Sequence, residues 1–95
     1  MKSRTEDADL TEAEFINTNL SAARFRDVNL AGAHFIDINL TGTRFEDVNL
    51  TGAVIRNANC SGLTIEDARY DSMRIDGILV TELLRVYRRQ HPEVL

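Results

Sequence analysis

The chain contains few of the residues on which several common classes of protein depend. Its 95 residues include one cysteine, one proline and no tryptophan. A single cysteine can form neither an intrachain disulfide nor a cysteine-based metal cluster, which favours a reducing, cytoplasmic setting. No stretch approaches about 18 consecutive apolar residues, and the polar start of the sequence lacks the apolar segment of a signal peptide. We therefore expect a soluble protein of the cytoplasm that makes no membrane contact.

Basic residues are also too few for a nucleic-acid-binding surface. Eleven Lys and Arg stand against fifteen Asp and Glu, which gives a net charge of −4. Direct binding to a phosphate backbone needs a surplus of cations, so nucleic acid is not expected as a partner. The 43% apolar and 27% charged residues are typical of a globular chain, and the length suffices for one small domain.

A five-residue repeat dominates what is present. From residue 10 to residue 75, every fifth residue is apolar or aromatic, a run of fourteen that chance would produce with a probability on the order of 10⁻⁵. These centres, which we predict to stack in the core, are Leu10, Phe15, Leu20, Phe25, Leu30, Phe35, Leu40, Phe45, Leu50, Ile55, Cys60, Ile65, Tyr70 and Ile75. Two residues after each centre the chain alternates largely between glycine and asparagine or aspartate, the residues that best tolerate left-handed backbone.

A period of five fits neither a helix nor a straight strand. Five residues rotate a side chain by about 140° on an α-helix and move it to the opposite face of a strand. A chain that bends after every fifth residue instead keeps all the centres inside a coil that stacks on itself, which is a solenoid. Because leucine and phenylalanine alternate with a period of ten, a twenty-residue, four-sided coil stacks like residues on each other, whereas a fifteen-residue coil does not.

The unit Ala33-His34-Phe35-Ile36-Asp37-Ile38-Asn39-Leu40-Thr41-Gly42 resembles two units of the pentapeptide-repeat family. The resemblance extends over residues 8–77 and implies an all-β fold, a right-handed quadrilateral β-helix of about 3.5 coils. We expect residues 1–7 to form a polar tail and residues 78–95 to form a C-terminal capping α-helix and tail.

The helix is predicted from a change of period after Gly77. Val80, Leu83, Leu84 and Tyr87 have the spacing of one helical face, and we expect a helix over 80–90 that begins at Thr81 as N-cap and covers the last coil. Its outer face could instead bind a second copy. The first coil has no such cover, so we also predict a homodimer through a solenoid end, with the N-terminal end as the first choice.

No catalytic, cofactor-binding or metal-binding residues emerge from the sequence. His34 and His91 show no pairing signal, and Cys60 replaces leucine at a centre, where we expect a buried, inert thiol. The glycines are spaced by ten, as corners rather than as a phosphate loop. Asp9 and the asparagines at 19, 29, 39, 49 and 59 are expected to bond the backbone at each bend. No cofactor and no enzymatic activity are predicted.

The charge pattern is the one feature that points to a partner. Stacking every twenty residues places Asp7 in one column with later aspartates and Glu6 beside it, with Arg24 and Arg44 at the opposite edge of that face. The candidate partner-binding stripe consists of Asp27, Asp47, Asp67, Glu46 and Glu66. It is either a recognition surface for a basic protein or no more than turn chemistry and solubility.

These observations predict a non-enzymatic, rigid protein-interaction or structural module with an unidentified protein partner. The resemblance adds an alternative. Some pentapeptide-repeat proteins imitate duplex DNA, bind type II topoisomerases and confer quinolone resistance. The acidic solenoid favours that alternative here, whereas the short stack and the interrupting arginines oppose it.

Overall fold

The fold is known from a computed structural model, which describes residues 4–92. The described residues form nine β-strands and one helix. They are β1 (Arg4–Asp9), β2 (Glu14–Ile16), β3 (Arg24–Asn29), β4 (His34–Asn39), β5 (Arg44–Asn49), β6 (Val54–Asn59), β7 (Thr64–Glu66), β8 (Arg74–Ile75), β9 (Ile78–Leu79) and α1 (Val80–Gln90).

The strands stack in parallel coils with a register of twenty residues. One sheet has the order β1-β3-β5-β7 and the other the order β2-β4-β6. Arg24 lies opposite Arg44 and Phe35 opposite Ile55, each pair separated by twenty positions. The four-sided β-solenoid is therefore confirmed, with about three complete turns.

A left-handed residue bends the chain at every fifth position. Asp27 has a φ of 55° and Gly42 a φ of 69°, and the same sign recurs at each fifth residue from 7 to 77. At the corners that follow the leucine centres, a backbone hydrogen bond closes the turn. One example runs from the amide of Thr43 to the carbonyl of Leu40, at 3.0 Å. The left-handed bend at every fifth residue is thus the physical origin of the four sides, and Glu12, Ala22 and Ser72 adopt it as well as glycine, asparagine and aspartate.

Phenylalanine rings form two stacked columns in the core. Phe15 stacks on Phe35 with ring centroids 4.8 Å apart, and Phe25 stacks on Phe45 at 5.0 Å. The two columns meet edge to face, with 5.9 Å between Phe35 and Phe45. The hydroxyl of the fully buried Thr43 donates to the carbonyl of Leu20 at 2.7 Å, so the one buried polar side chain of the described core is satisfied.

Burial of the predicted centres is complete only in the middle of the stack. The seven centres from Leu20 to Leu50 are buried, and the neighbouring ones at either end are half-buried. Cys60 and Ile75 were expected inside but are exposed, Ile75 by 53%. Within residues 4–92 no further coil lies above these two residues, so that side of each has no cover.

The first strand of the solenoid begins before the first apolar centre of the repeat, Leu10. Residues 4–7, expected in a polar tail, belong to β1, which pairs with β3 so that Thr5 lies opposite Phe25. Thr5 occupies a centre position without being apolar, and an apolar criterion therefore misses it. Residues 1–3 of the predicted tail lie outside the described residues.

The C-terminal helix is confirmed, but its predicted role as a cap is not observed. Helix α1 covers the predicted residues 80–90, yet it packs beside β9 and none of its residues is buried. Leu83 and Tyr87, expected against the last coil, are 39% and 49% exposed. Thr81 is not the N-cap, since the helix begins after Leu79, which makes no side-chain capping bond.

Phe35→Ala should lower the free energy of unfolding by about 3–5 kcal/mol, because Phe35 is fully buried between coils and its removal leaves a cavity. Urea unfolding followed by circular dichroism measures the change. Ile16→Ala is the matched control, since that side chain is 50% exposed and should cost less than about 1 kcal/mol. Equal losses in the two variants would contradict the register.

Candidate functional site

The candidate site lies on the outer face of the sheet formed by β1, β3, β5 and β7. Parallel pairing in the twenty-residue register turns the sequence positions of this face into vertical columns, spaced by about 4.8 Å from coil to coil. The arginine column contains Arg4, Arg24 and Arg44. The mixed column contains Glu6, Arg26, Glu46 and Glu66. The aspartate column, at the following bend, contains Asp7, Asp27, Asp47 and Asp67.

The mixed column is neutralised by arginines. Glu46 lies 3.7 Å from Arg26 and 3.5 Å from Arg44, and Glu66 lies 3.5 Å from Arg44. These pairs are exposed, so each contributes little to stability, but together they remove net charge from this part of the face. Glu46 and Glu66, predicted as part of an acidic stripe, therefore belong to an ion-pair ladder.

The aspartate column retains its charge. Asp27, Asp47 and Asp67 are exposed, and within residues 4–92 none of them forms an ion pair. Each has left-handed backbone, with φ between 51° and 55°. Stacked like charges repel, so this column has a cost that the bend alone does not require, because Asn17 and Asn57 adopt the same conformation without charge. The register stacks the three predicted aspartates in one column and places the two glutamates, which pair with arginines, in the neighbouring column.

Arg26 is the site residue that sequence reasoning missed. The five-residue pattern does not reveal it, although the twenty-residue register places it directly opposite Glu46. Reading the sequence in rows of twenty rather than in units of five would have found this pair. Arg24 forms no ion pair among the described residues and remains a cation at the far edge of the face.

The predicted side-chain bonds at the bends are present. Oδ1 of Asn29 accepts the backbone amide of Ala31 at 3.0 Å, and Oδ1 of Asn39 accepts that of Thr41 at 2.9 Å. The same bond occurs at Asp9, Asn19, Asn49 and Asn59. At Asp9 the hydroxyl of Thr11 donates as well, and these bonds lower the pKa of the Asp9 carboxyl. This row of residues orders the corners and is separate from the aspartate column.

A second notable surface is the C-terminal end of the solenoid. An apolar cleft of about 610 Å³ opens there between the last coil and the segment around β8. Its walls include Ile55, Cys60, Leu63, Ile65 and Met73. Although Cys60 is exposed, the walls of the cleft desolvate part of its side chain and raise the pKa of the thiol, which lowers the share of the reactive thiolate. The predicted burial of Cys60 is therefore wrong, and its inertness stays a prediction.

The remaining candidates show local roles. His34 is exposed on β4, and His91 stacks on Tyr87 with ring centroids 4.1 Å apart at the end of α1. Within residues 4–92, no group of three or more His, Cys, Asp or Glu side chains could hold a metal ion. No helix in the same part of the chain is long and apolar enough to span a membrane.

Comparison with known proteins agrees with this geometry. The family model for pentapeptide repeats matches eight copies, over residues 6–42 and 33–69. The chain belongs to the pentapeptide-repeat family. The matched region ends at Arg69. The coil-to-coil hydrogen bonds of this pentapeptide-repeat protein end at the same residue. No curated protein matches the chain.

The pKa of the Asp9 carboxyl should lie below 3.8, its ordinary value, and Thr11→Val should raise it. Loss of the hydroxyl removes the bond that favours the ionised form in the folded protein. Because the folded pKa is depressed, the associated stability is present above the unfolded pKa and is lost as the pH falls through the folded value. Carboxyl chemical shifts measure the titration, and Thr51→Val, at an asparagine corner, should leave it unchanged. A Thr11→Val titration identical to that of the wild type would contradict the assignment.

Proposed function

We propose that this pentapeptide-repeat protein is a non-enzymatic, rigid interaction module of the cytoplasm and that its aspartate column binds a basic surface of a protein partner. The observation that carries the proposal is the contrast between adjacent columns. Glu46 and Glu66 are paired with arginines, whereas Asp27, Asp47 and Asp67 form no ion pair within residues 4–92. An uncompensated row of charges at fixed spacing is suited to recognising a complementary row of cations.

Rigidity supports this role. Asp27 and Asp47 lie within the paired strands β3 and β5, two residues after the buried Phe25 and Phe45, and Asp67 directly follows β7. Side chains placed in this way lose little freedom on binding, so less of the interaction energy is offset by ordering. A partner with lysines or arginines along a helix or a strand could contact several aspartates at once.

The proposal is tested by a variant, called the stripe variant, in which asparagine replaces the three aspartates at 27, 47 and 67. The bend should be undisturbed, since Asn17 and Asn57 already adopt this conformation. The matched control replaces Glu12 and Glu14 with glutamine and Asp37 with asparagine, which changes the net charge equally. Proteins captured from cells by the wild type and by the control, but lost with the stripe variant, are the expected partners. We expect their affinity to fall at least about tenfold with the stripe variant and to weaken as salt is raised. Equal capture by all three proteins would contradict the proposal.

A type II topoisomerase is the second candidate partner, because the aspartate column forms an acidic row along a rigid rod. The arginine column on the same face opposes this candidate, since a duplex presents phosphate on every side. The same variants distinguish the two readings in a supercoiling titration with and without a fluoroquinolone. Inhibition or drug protection that is lost only in the stripe variant would identify the topoisomerase as the partner. No effect at tens of micromolar would exclude it and leave the general module.

We further propose a homodimer, now through the C-terminal end of the solenoid rather than through the N-terminal end. The apolar cleft and the exposed Leu83 and Tyr87 lie at the C-terminal end, so a second copy could lay its helix across the cleft. Charge is complementary as well. Arg88 and Arg89 form no ion pair among the described residues, while this end of the solenoid carries Asp67.

Light scattering at tens of micromolar should give twice the chain mass of 10.7 kDa. Leu83→Glu should reduce it to that of one chain, because a charge would enter the apolar contact. Val86→Glu, on the same helix but outside the stripe formed by Val80, Leu83, Leu84 and Tyr87, should remain dimeric. A monomeric wild type would exclude the dimer, and a dimeric Leu83→Glu variant would exclude this end.

A further inference from the structure

The chain leaves the solenoid after Tyr70 although its sequence still follows the repeat. The last bonds between coils are those from the amide of Leu50 to the carbonyl of Arg69, at 2.8 Å, and from the amide of Arg69 to the carbonyl of Val48, at 3.0 Å. The next two of the series would join Gly52 to Asp71 and Arg74 to Ala53. Neither is present in the described chain, and β6 pairs only with β4. Strand β6 therefore has a free edge above it.

The segment that should cover this edge forms a hairpin with itself. Strands β8 and β9 pair antiparallel, with Ile75 opposite Ile78. Asp76 and Gly77 connect them, with φ of 50° and 81°, as in a type I′ turn. The cost of this arrangement is exposed apolar surface, since Ile75 and Ile78 are 53% and 49% exposed and the cleft beside β6 remains open.

The same segment fits a fourth coil. In the twenty-residue register Ile75 would lie on Ile55, Ile78 on Ala58 and Val80 on Cys60. The preceding corner is already formed, with the amide of Met73 bonded to the carbonyl of Tyr70 at 2.9 Å and with Ser72 left-handed. Gly77 already has the left-handed φ that Asn57 has at the equivalent bend. Asp76 is the residue of the turn that departs from the repeat.

Asp76 is consequently the pivot between the two arrangements. Its left-handed φ is specific to the hairpin, since Arg56 and Ile36, twenty and forty residues earlier, do not have it. A return to extended φ would place its carboxylate beside the guanidinium of Arg56, which forms no ion pair among the described residues. The hairpin retains the short pairing of β8 with β9, whereas the coil would pair the free edge of β6 and pack both isoleucines against the last coil.

We infer that the segment from Arg74 to Leu79 is a two-state strand, which exchanges between the β8–β9 hairpin and a fourth coil on β6. The hairpin leaves the apolar cleft and Cys60 open, and the coil closes both. Cys60 would then lie under Val80 in the column of Leu20 and Leu40, which are buried because a coil lies above each of them.

The rate at which an aromatic disulfide reagent labels Cys60 measures the exchange, because Cys60 is the single cysteine of the chain. Asp76→Val should slow labelling about fivefold, because a β-branched residue disfavours the left-handed φ of the hairpin. Ile75→Asp should accelerate labelling, because its charge is tolerated in the exposed hairpin and not on Ile55. Arg56→Glu should also accelerate labelling, because the new carboxylate would repel that of Asp76 in the coil but not in the hairpin.

The fast and slow variants should differ by about tenfold in labelling rate, with the wild type between them. Val86→Asp adds the same charge as Ile75→Asp outside the segment and should label like the wild type. Amide exchange is the second readout, since the amide of Gly52 gains the carbonyl of Asp71 as acceptor only in the coil and should be protected in Asp76→Val.

Protein concentration separates this exchange from dimer formation, because closure within one chain leaves the labelling rate unchanged on dilution, whereas cover by a second copy does not. Rates within twofold of each other in all four variants would overturn the inference. Slow labelling of Asp76→Val together with an unprotected Gly52 amide would also overturn it. Protection of Cys60 from the reagent that disappears on dilution would do the same.

Discussion

A left-handed residue at every fifth position is the constraint on which the rest of this structure depends. Each such residue, as at Asp27 or Gly42, turns the chain by one side of the coil and returns the next apolar centre to the interior. Four bends bring the chain back above its starting point, so residues twenty apart become neighbours in a parallel ladder. The stacked phenylalanine columns and the ordered corners follow from this register, because both need identical residue types directly above one another.

The same register determines the outer surface, where its effect is electrostatic rather than apolar. Any charge repeated every twenty residues becomes a column, and adjacent columns interact. On this face the arginines at 26 and 44 form ion pairs with Glu46 and Glu66, whereas the aspartates form none in the part of the chain that the structure describes. Turn chemistry accounts for a small polar residue at each bend, but asparagine satisfies it equally well at 17 and 57. The choice of charge at 27, 47 and 67 therefore needs a reason beyond the fold.

The interior of the solenoid could be predicted closely from the sequence, and its ends could not. Every internal unit meets the same neighbours, so the twenty-residue coil, the ring stacks and the side-chain bonds of Asn29 and Asn39 follow from the repeat alone. At the first coil, backbone pairing suffices to hold Thr5 at a centre position, which an apolar pattern cannot reveal. At the last coil the helix was located correctly by its period, but periodicity shows which face is apolar and not what that face contacts.

The ends differ from the middle for a reason that is general to stacked repeats. An internal coil gains two interfaces for the conformational entropy it loses, whereas a terminal coil gains one, so its net stability is the smallest in the molecule. A segment at such an end can therefore exchange coil-to-coil hydrogen bonds for pairing within itself at little cost in free energy. Asp76-Gly77 makes this possible here, because the pair favours a tight hairpin turn. The residues after Tyr70 carry both patterns at once, a repeat that continues the coil and a turn that interrupts it. Which pattern dominates depends on a few side chains at the free edge of β6 rather than on the repeat that specifies the rest of the fold.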